Sequence, residues 1–234
     1  TYSAVARRAD VSRTFPYQNR DAKKLVTTAA LGQPIALNHA ADLFKECLLV
    51  LVFEGPTDLC DLEADEGARI CALNGGEDLG PGPGRVWMEK RYAVSYKQSK
   101  VFDLGAFADT MEVAGPWDQV VDIYERVKAA VAEHAFVMCH FSHAYVEGCC
   151  LYFSFAGAGG TLEETEARYD RLWKEALRAA QEAGANVSHH HGVGFSKADA
   201  LVRQLGDGGM RVLRALKQTW DPAGILNPGK LGLS

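Results

Sequence analysis

The sequence predicts an α+β fold of ferredoxin-like kind: an antiparallel or mixed sheet with helices on one face, followed by a C-terminal helical segment. Three observations carry this. Apolar runs of strand length interleave with helical patterns along the 234 residues. Two aromatic and β-branched runs, Phe136–Tyr145 and Cys149–Phe155, are separated by Glu147-Gly148, which reads as an antiparallel hairpin. Directly after it, Thr161-Leu162-Glu163-Glu164 has the pattern of a capping box that starts a long helix.

Each element has its own reason. Residues 1–46, with Arg7-Arg8 and Phe15-Pro16-Tyr17, are weakly patterned and read as an arm or connection holding one short helix at most. Cys47–Phe53 is a continuous apolar run stopped by Glu54-Gly55-Pro56, which predicts a central buried strand. Thr57–Leu73 reads as a helix with Leu59, Leu62, Ala68, Ile70 and Cys71 as core contacts, ended by Asn74-Gly75-Gly76. The breaker cluster Gly80-Pro81-Gly82-Pro83-Gly84 is a loop, and Val86–Tyr92 is helical. Phe107–Val113 alternates as a strand. Pro116 opens a helix from Trp117 to Glu133, with Val120, Ile123, Tyr124, Val127 and Val131 on one face. After the hairpin, the Thr161 helix runs to Ala183 and stops at Gly184. A last helix spans Lys197–Trp220, broken near Gly206–Gly209, and Asp221-Pro222 ends it. The order is β-α-β-α-β-β-α, a histidine turn, then α. Residues 47–234 form the domain proper.

Composition narrows the function classes. Apolar residues make up 47% and charged residues 24%, as in ordinary soluble globular proteins. A net charge of −5 argues against nucleic acid as a partner. The six cysteines lie in apolar stretches without a CxxC pair, and no signal peptide is recognised. Reduced, buried thiols in a cytoplasmic protein are therefore expected. No apolar run has transmembrane length.

The chemistry concentrates in Ser188-His189-His190-His191-Gly192-Val193-Gly194, where three imidazoles meet a flexible glycine pair. A solvated loop, a metal site and an active-site role are all open on this pattern. Metal is disfavoured because adjacent side chains in a turn diverge, unlike ligands at helical spacing. Strand alternation puts Tyr152 and Ser154 opposite Leu151, Phe153 and Phe155, so the Tyr152 phenol could serve as proton donor or acceptor, or simply pack. His140 and His143 are three apart, so in a regular hairpin at most one shares the Tyr152 face. Asn227-Pro228-Gly229-Lys230 is a tight turn after a helix stop. No GxGxxG loop, Walker loop or nucleophile elbow is found, and the prolines of Gly80–Gly84 remove amides that would hold phosphate.

Taken together, Leu51-Val52-Phe53-Glu54-Gly55, Asp109–Ala114 with Trp117-Asp118, Leu151–Phe155, the histidine triplet and Asp221–Lys230 resemble the C-terminal half of FAD-linked oxidases of the vanillyl-alcohol-oxidase superfamily. Within it they are most like the alkyldihydroxyacetonephosphate synthase branch. The triplet stands where the D-lactate and glycolate dehydrogenase branch has Gly-Glu-His-Gly. The resemblance implies FAD as cofactor and exchange of an acyl for an alkyl chain on dihydroxyacetone phosphate through a flavin adduct, in ether lipid synthesis. It implies Tyr152, His190 and His191 as catalytic residues, with the 39-residue separation from Tyr152 to His191 fitting without a gap. It further implies His189, His190 and Asn227 toward the cofactor, and Lys97, Gln98 and His143 toward substrate; no metal is implied.

Two departures qualify this. The branch carries a phosphate-binding arginine at the position of Gln98, and an amide does not replace a bidentate cation, although Lys97 or Lys100 could act as a point charge. The flavin-binding domain that should precede this one is not in the sequence, so it is expected in cis or in trans. Two further readings stay open: an FAD-dependent dehydrogenase or oxidase of a hydroxy acid or alcohol, and a non-catalytic domain that binds a separate flavin subunit or forms a homodimer.

Overall fold

The computed structural model describes residues 28–42, 47–92 and 99–233. They fall into two compact units, one of residues 39–92 with 99–100, the other of residues 28–38 with 101–233. Helices α1 (Pro34–Ala41) and α4 (Ser99–Phe102) carry the chain across the division.

The first unit holds α2 (Thr57–Leu73) and α3 (Gly82–Lys90). The strand expected at Cys47–Phe53 is not there. The segment has no strand beside it among the described residues, and Leu48, Leu49 and Val52 are exposed. Leu51 and Phe53 lie against Gly67 of α2, where an added Cβ would come within 3.3 and 3.2 Å of their side chains. An apolar run supplies side chains for a strand but not the partner that takes its backbone hydrogen bonds. The covered face of α2 also differs from expectation. Cys60, Ala64, Gly67, Ala68 and Cys71 line it at helical spacing, while Leu59, Leu62 and Ile70 are exposed. Helix α3 begins inside the glycine–proline cluster expected to be all loop. Pro83 sits in its first turn, where a missing N–H leaves no helical bond unmade. All six cysteines are free, but Cys47 is exposed rather than buried.

The second unit follows the predicted α+β plan. It contains β1 (Ala106–Pro116), α5 (Val120–Ala132), β2 (Phe136–Ala144), β3 (Gly148–Ala158), α6 (Leu162–Glu182) and α7 (Ala198–Trp220). The sheet order is β1-β3-β2 with both pairings antiparallel. Strands β1 and β2 therefore run in the same direction, joined by α5, with β3 inserted between them. Helices α5 and α6 pack on each other and on one face of the sheet. Met111 and Val113 of β1, Leu151 and Phe153 of β3, Ile123, Val127 and Val131 of α5 and Leu172 of α6 meet there fully buried. Asn38 fastens the α5–β2 turn: its amide donates to the carbonyls of Ala132 (3.2 Å) and Ala135 (2.9 Å), and its oxygen accepts from the Val137 N–H (3.1 Å).

Helix α6 has both ends built as its sequence indicates. The Glu164 N–H donates to Thr161 Oγ1 and the Glu164 carboxylate accepts from the Thr161 N–H, both at 3.2 Å. At the other end Gly184 takes φ 87°, and the Ala185 N–H reaches Ala180 while the Gly184 N–H reaches Gln181. That pair of bonds closes the helix by a Schellman turn. Replacing Thr161 by Ala is expected to cost about 1 kcal/mol, read as a lowered midpoint in thermal denaturation of the chain.

Candidate active site on the open face of the sheet

The face of the sheet away from α5 and α6 carries polar groups in a row. Glu112, Tyr152 and His140 are Cα partners across β1, β3 and β2. Beyond His140 the β2–β3 ladder shifts register between Phe141 and Ala144. A bulge of this kind turns consecutive side chains toward one side. Ser142 Oγ donates to Glu112 Oε1 at 3.1 Å, and His143 Nδ1 lies 3.7 Å from the same oxygen. The bulge thus brings His143 to the face that His140 already shares with Tyr152, which a regular hairpin would have forbidden.

The histidine triplet is carried to this face from the end of α6. Asn186 clips onto the edge of β1: its N–H donates to the Ala114 carbonyl (3.0 Å), and its side-chain oxygen accepts from the Ala114 N–H (2.8 Å). The Val187 N–H donates to Gln204 of α7 (2.8 Å). Ser188 Oγ donates to the Gly192 carbonyl (3.0 Å) and accepts from Lys197 Nζ (2.9 Å). Gly192 and Gly194 have φ of 74° and 58°, which glycine adopts at no steric cost. On the far side the Leu231 N–H donates to the Gly194 carbonyl (3.1 Å) and ties the C-terminal tail to the loop.

Within this loop the imidazoles converge on one carboxylate instead of diverging. Glu112 is fully buried. His190 Nδ1 lies 2.7 Å from its Oε2, His189 Nδ1 3.8 Å and His191 Nε2 4.0 Å. The turn wraps around the acid, so neighbours in sequence point to the same place. The His191 ring meets Tyr152 edge to face with centroids 5.1 Å apart. His189 Nε2 is 3.2 Å from the Tyr145 hydroxyl. Beside His189 a cavity of about 400 Å³ opens, lined by Gly115, Tyr145, Gly148 and Cys149 among others. Glu112 with His190 and His191, and Glu112 with His143, Cys150 and His189, are sets of ligand atoms close enough to hold a metal ion.

Burial pushes His191 below the ordinary imidazole range, His190 and Lys197 push the same way, and Glu112 opposes them. Burial also lowers the Lys197 ammonium, again against the pull of Glu112 and Asp109. The Cys150 thiol is raised to about 11 by burial and by Glu112, which makes it a poor nucleophile at neutral pH.

Of the residues singled out from sequence, the structure brings together Tyr152, His143, His189, His190 and His191. Asn227 is exposed in the turn after α7 at φ 47° and shares no hydrogen bond with them among the described residues. Lys97 and Gln98 lie outside the described residues, as does the side chain of Lys100. Sequence reasoning missed Glu112, Asn186 and Lys197. Glu112 carried one signal: it stands between Met111 and Val113 on an alternating strand, hence on the face opposite the core.

Residues 19–231 match the family described as FAD linked oxidases, C-terminal domain. The chain belongs to this family. Alkyldihydroxyacetonephosphate synthase of Dictyostelium discoideum is 30% identical over 88% of the chain and 34% of its own length. A solved alkyldihydroxyacetonephosphate synthase superposes with a TM-score of 0.57 at 25% identity, covering 83% of this chain and 34% of that one. D-lactate dehydrogenase of Anaerostipes hadrus is 30% identical over 53% of the chain and 26% of its own length. This FAD-linked oxidase domain thus spans about a third of the length of its synthase relative.

The residues present fit one part of a flavin. A sheet face bearing a tyrosine and several imidazoles suits a flat, redox-active ring. No glycine-rich set of backbone amides that would cradle the pyrophosphate stands among the described residues.

Proposed function

We propose that in the complete protein this domain forms the substrate side of a flavin site and supplies the acid–base groups for exchanging an acyl for an alkyl chain on dihydroxyacetone phosphate. One observation carries the reading: Tyr152 stands on the open face in edge contact with His191, in a chain matched along most of its length by a synthase of that activity. The flavin, when bound, supplies the ring against which the chains exchange. The Tyr152 hydroxyl holds the proton that is given to the leaving fatty acid or taken from the incoming alcohol. Burial pushes the His191 imidazole toward its neutral form, the form that can accept a proton. The cavity beside His189 offers space for part of the substrate. The flavin-binding portion joins in cis or in trans.

A second reading, oxidation of a hydroxy acid, is favoured by Gln98 in place of the phosphate-binding arginine and by the shorter likeness to D-lactate dehydrogenase. The test joins the chain with its flavin-binding portion and supplies acyl-dihydroxyacetone phosphate with a labelled fatty alcohol. Labelled ether product with release of fatty acid is expected. No ether product, together with bleaching of the flavin by a 2-hydroxy acid, would replace the first reading by the second.

A further inference from the structure

We propose that Glu112 is the positioning residue of the triplet, fixing His190 with its proton on Nδ1 so that Nε2 is the atom left to exchange protons. The carboxylate is fully buried at the centre of the site, yet it lies on β1 and does not touch Tyr152 through any hydrogen bond. Both of its oxygens already act as acceptors. Oε1 takes the Ser142 hydroxyl at 3.1 Å, and Oε2 takes the backbone N–H of His190 at 3.4 Å. The His190 ring Nδ1, 2.7 Å from Oε2, completes the set as a donor. One residue therefore grips one oxygen through both its backbone and its ring, which fixes the ring's rotation as well as its tautomer. A carboxylate holding one imidazole nitrogen is a general device for presenting the other in a defined state.

The surrounding groups agree with this assignment. His189 Nδ1, 3.1 Å from His190 Nδ1, stands as a second, longer acceptor of the one proton that this nitrogen holds toward Oε2, which leaves the His189 Nε2–H for the Tyr145 hydroxyl. His143 approaches Oε1 from the bulge, and Lys197 holds Ser188 on the other side of the loop. Half of the His190 side chain is exposed.

The inference rests on the proposed acid–base role of the triplet only for the use made of Nε2; the tautomer itself is read on the chain alone. The experiment is a long-range proton–nitrogen spectrum of the nitrogen-15-labelled chain, at about two units above the ordinary imidazole value, where neutral tautomers separate. His190 is assigned by the signal that disappears in His190→Gln. Wild type is expected to show protonated Nδ1 and bare Nε2. Glu112→Leu, checked for its fold by circular dichroism, is expected to lose that preference. Glu112→Gln, whose carbonyl can replace Oε2, is expected to keep it. A bare Nδ1 in the wild type overturns the proposal even if Glu112→Leu does not fold, and so does a His190 signal that moves when metal is removed with a chelator. Absence of ether-forming activity with the tautomer intact would count against the proposed function and not against this role.

Discussion

Tyr152→Phe is expected to lower turnover of the complete protein by about 10²- to 10⁴-fold while flavin stays bound. The substitution removes one oxygen. The ring keeps its edge contact with His191 and its neighbour His140, whose centroid is 6.5 Å away. The backbone beneath it is held by Leu151 and Phe153, both fully buried against the helices. Folding and the shape of the open face should therefore be unchanged, and the loss should fall on kcat more than on KM. Turnover, flavin absorbance and a thermal melt together check this. Near-normal turnover in the variant would remove the phenol from the chemistry, and loss of flavin would make its role one of binding.

The largest structural effect is expected from Phe153→Ala. Phe153 is fully buried on the central strand and stacks on Tyr124 of α5, with centroids 6.5 Å apart and planes 13° from parallel. Truncating a buried phenylalanine costs about 3–5 kcal/mol, because the packed atoms and the filled volume are lost together. That is a large part of the stability of a domain of this size. The denaturation midpoint should fall on the order of 10 °C, measured by calorimetry or circular dichroism. A shift of only a degree or two would mean that α5 and the sheet collapse into the gap.

What the sequence showed and what it hid divide by range. The hairpin, α5 and α6 are specified by neighbours: Thr161 and Glu164 cap each other, and Val120, Ile123, Val127 and Val131 recur at helical spacing. The antiparallel sheet with helices on one face follows from those pieces. The Cys47–Phe53 run looked equally clear, but a strand needs a partner, and nothing local says that Leu51 and Phe53 pack on Gly67 instead. At the site, Tyr152 and the triplet could be named from strand alternation and resemblance. Their common centre could not. Glu112 sits 78 positions before His190, and their contact depends on Asn186 clipping to Ala114 and on a bulge that places His143. Register shifts and side-chain clips are settled by pairing between distant segments, which residue spacing does not encode.

The Asn38 clamp has a consequence for the order of folding. Its side chain joins carbonyl and amide groups 94 to 99 positions away. Closing so long a loop is entropically unfavourable before the sheet and α5 exist to hold the other end. The segment around Asn38 precedes the sheet in the chain and is expected to dock after the sheet forms. It acts as a latch on a sheet that has already assembled, so its loss should speed unfolding far more than it slows folding.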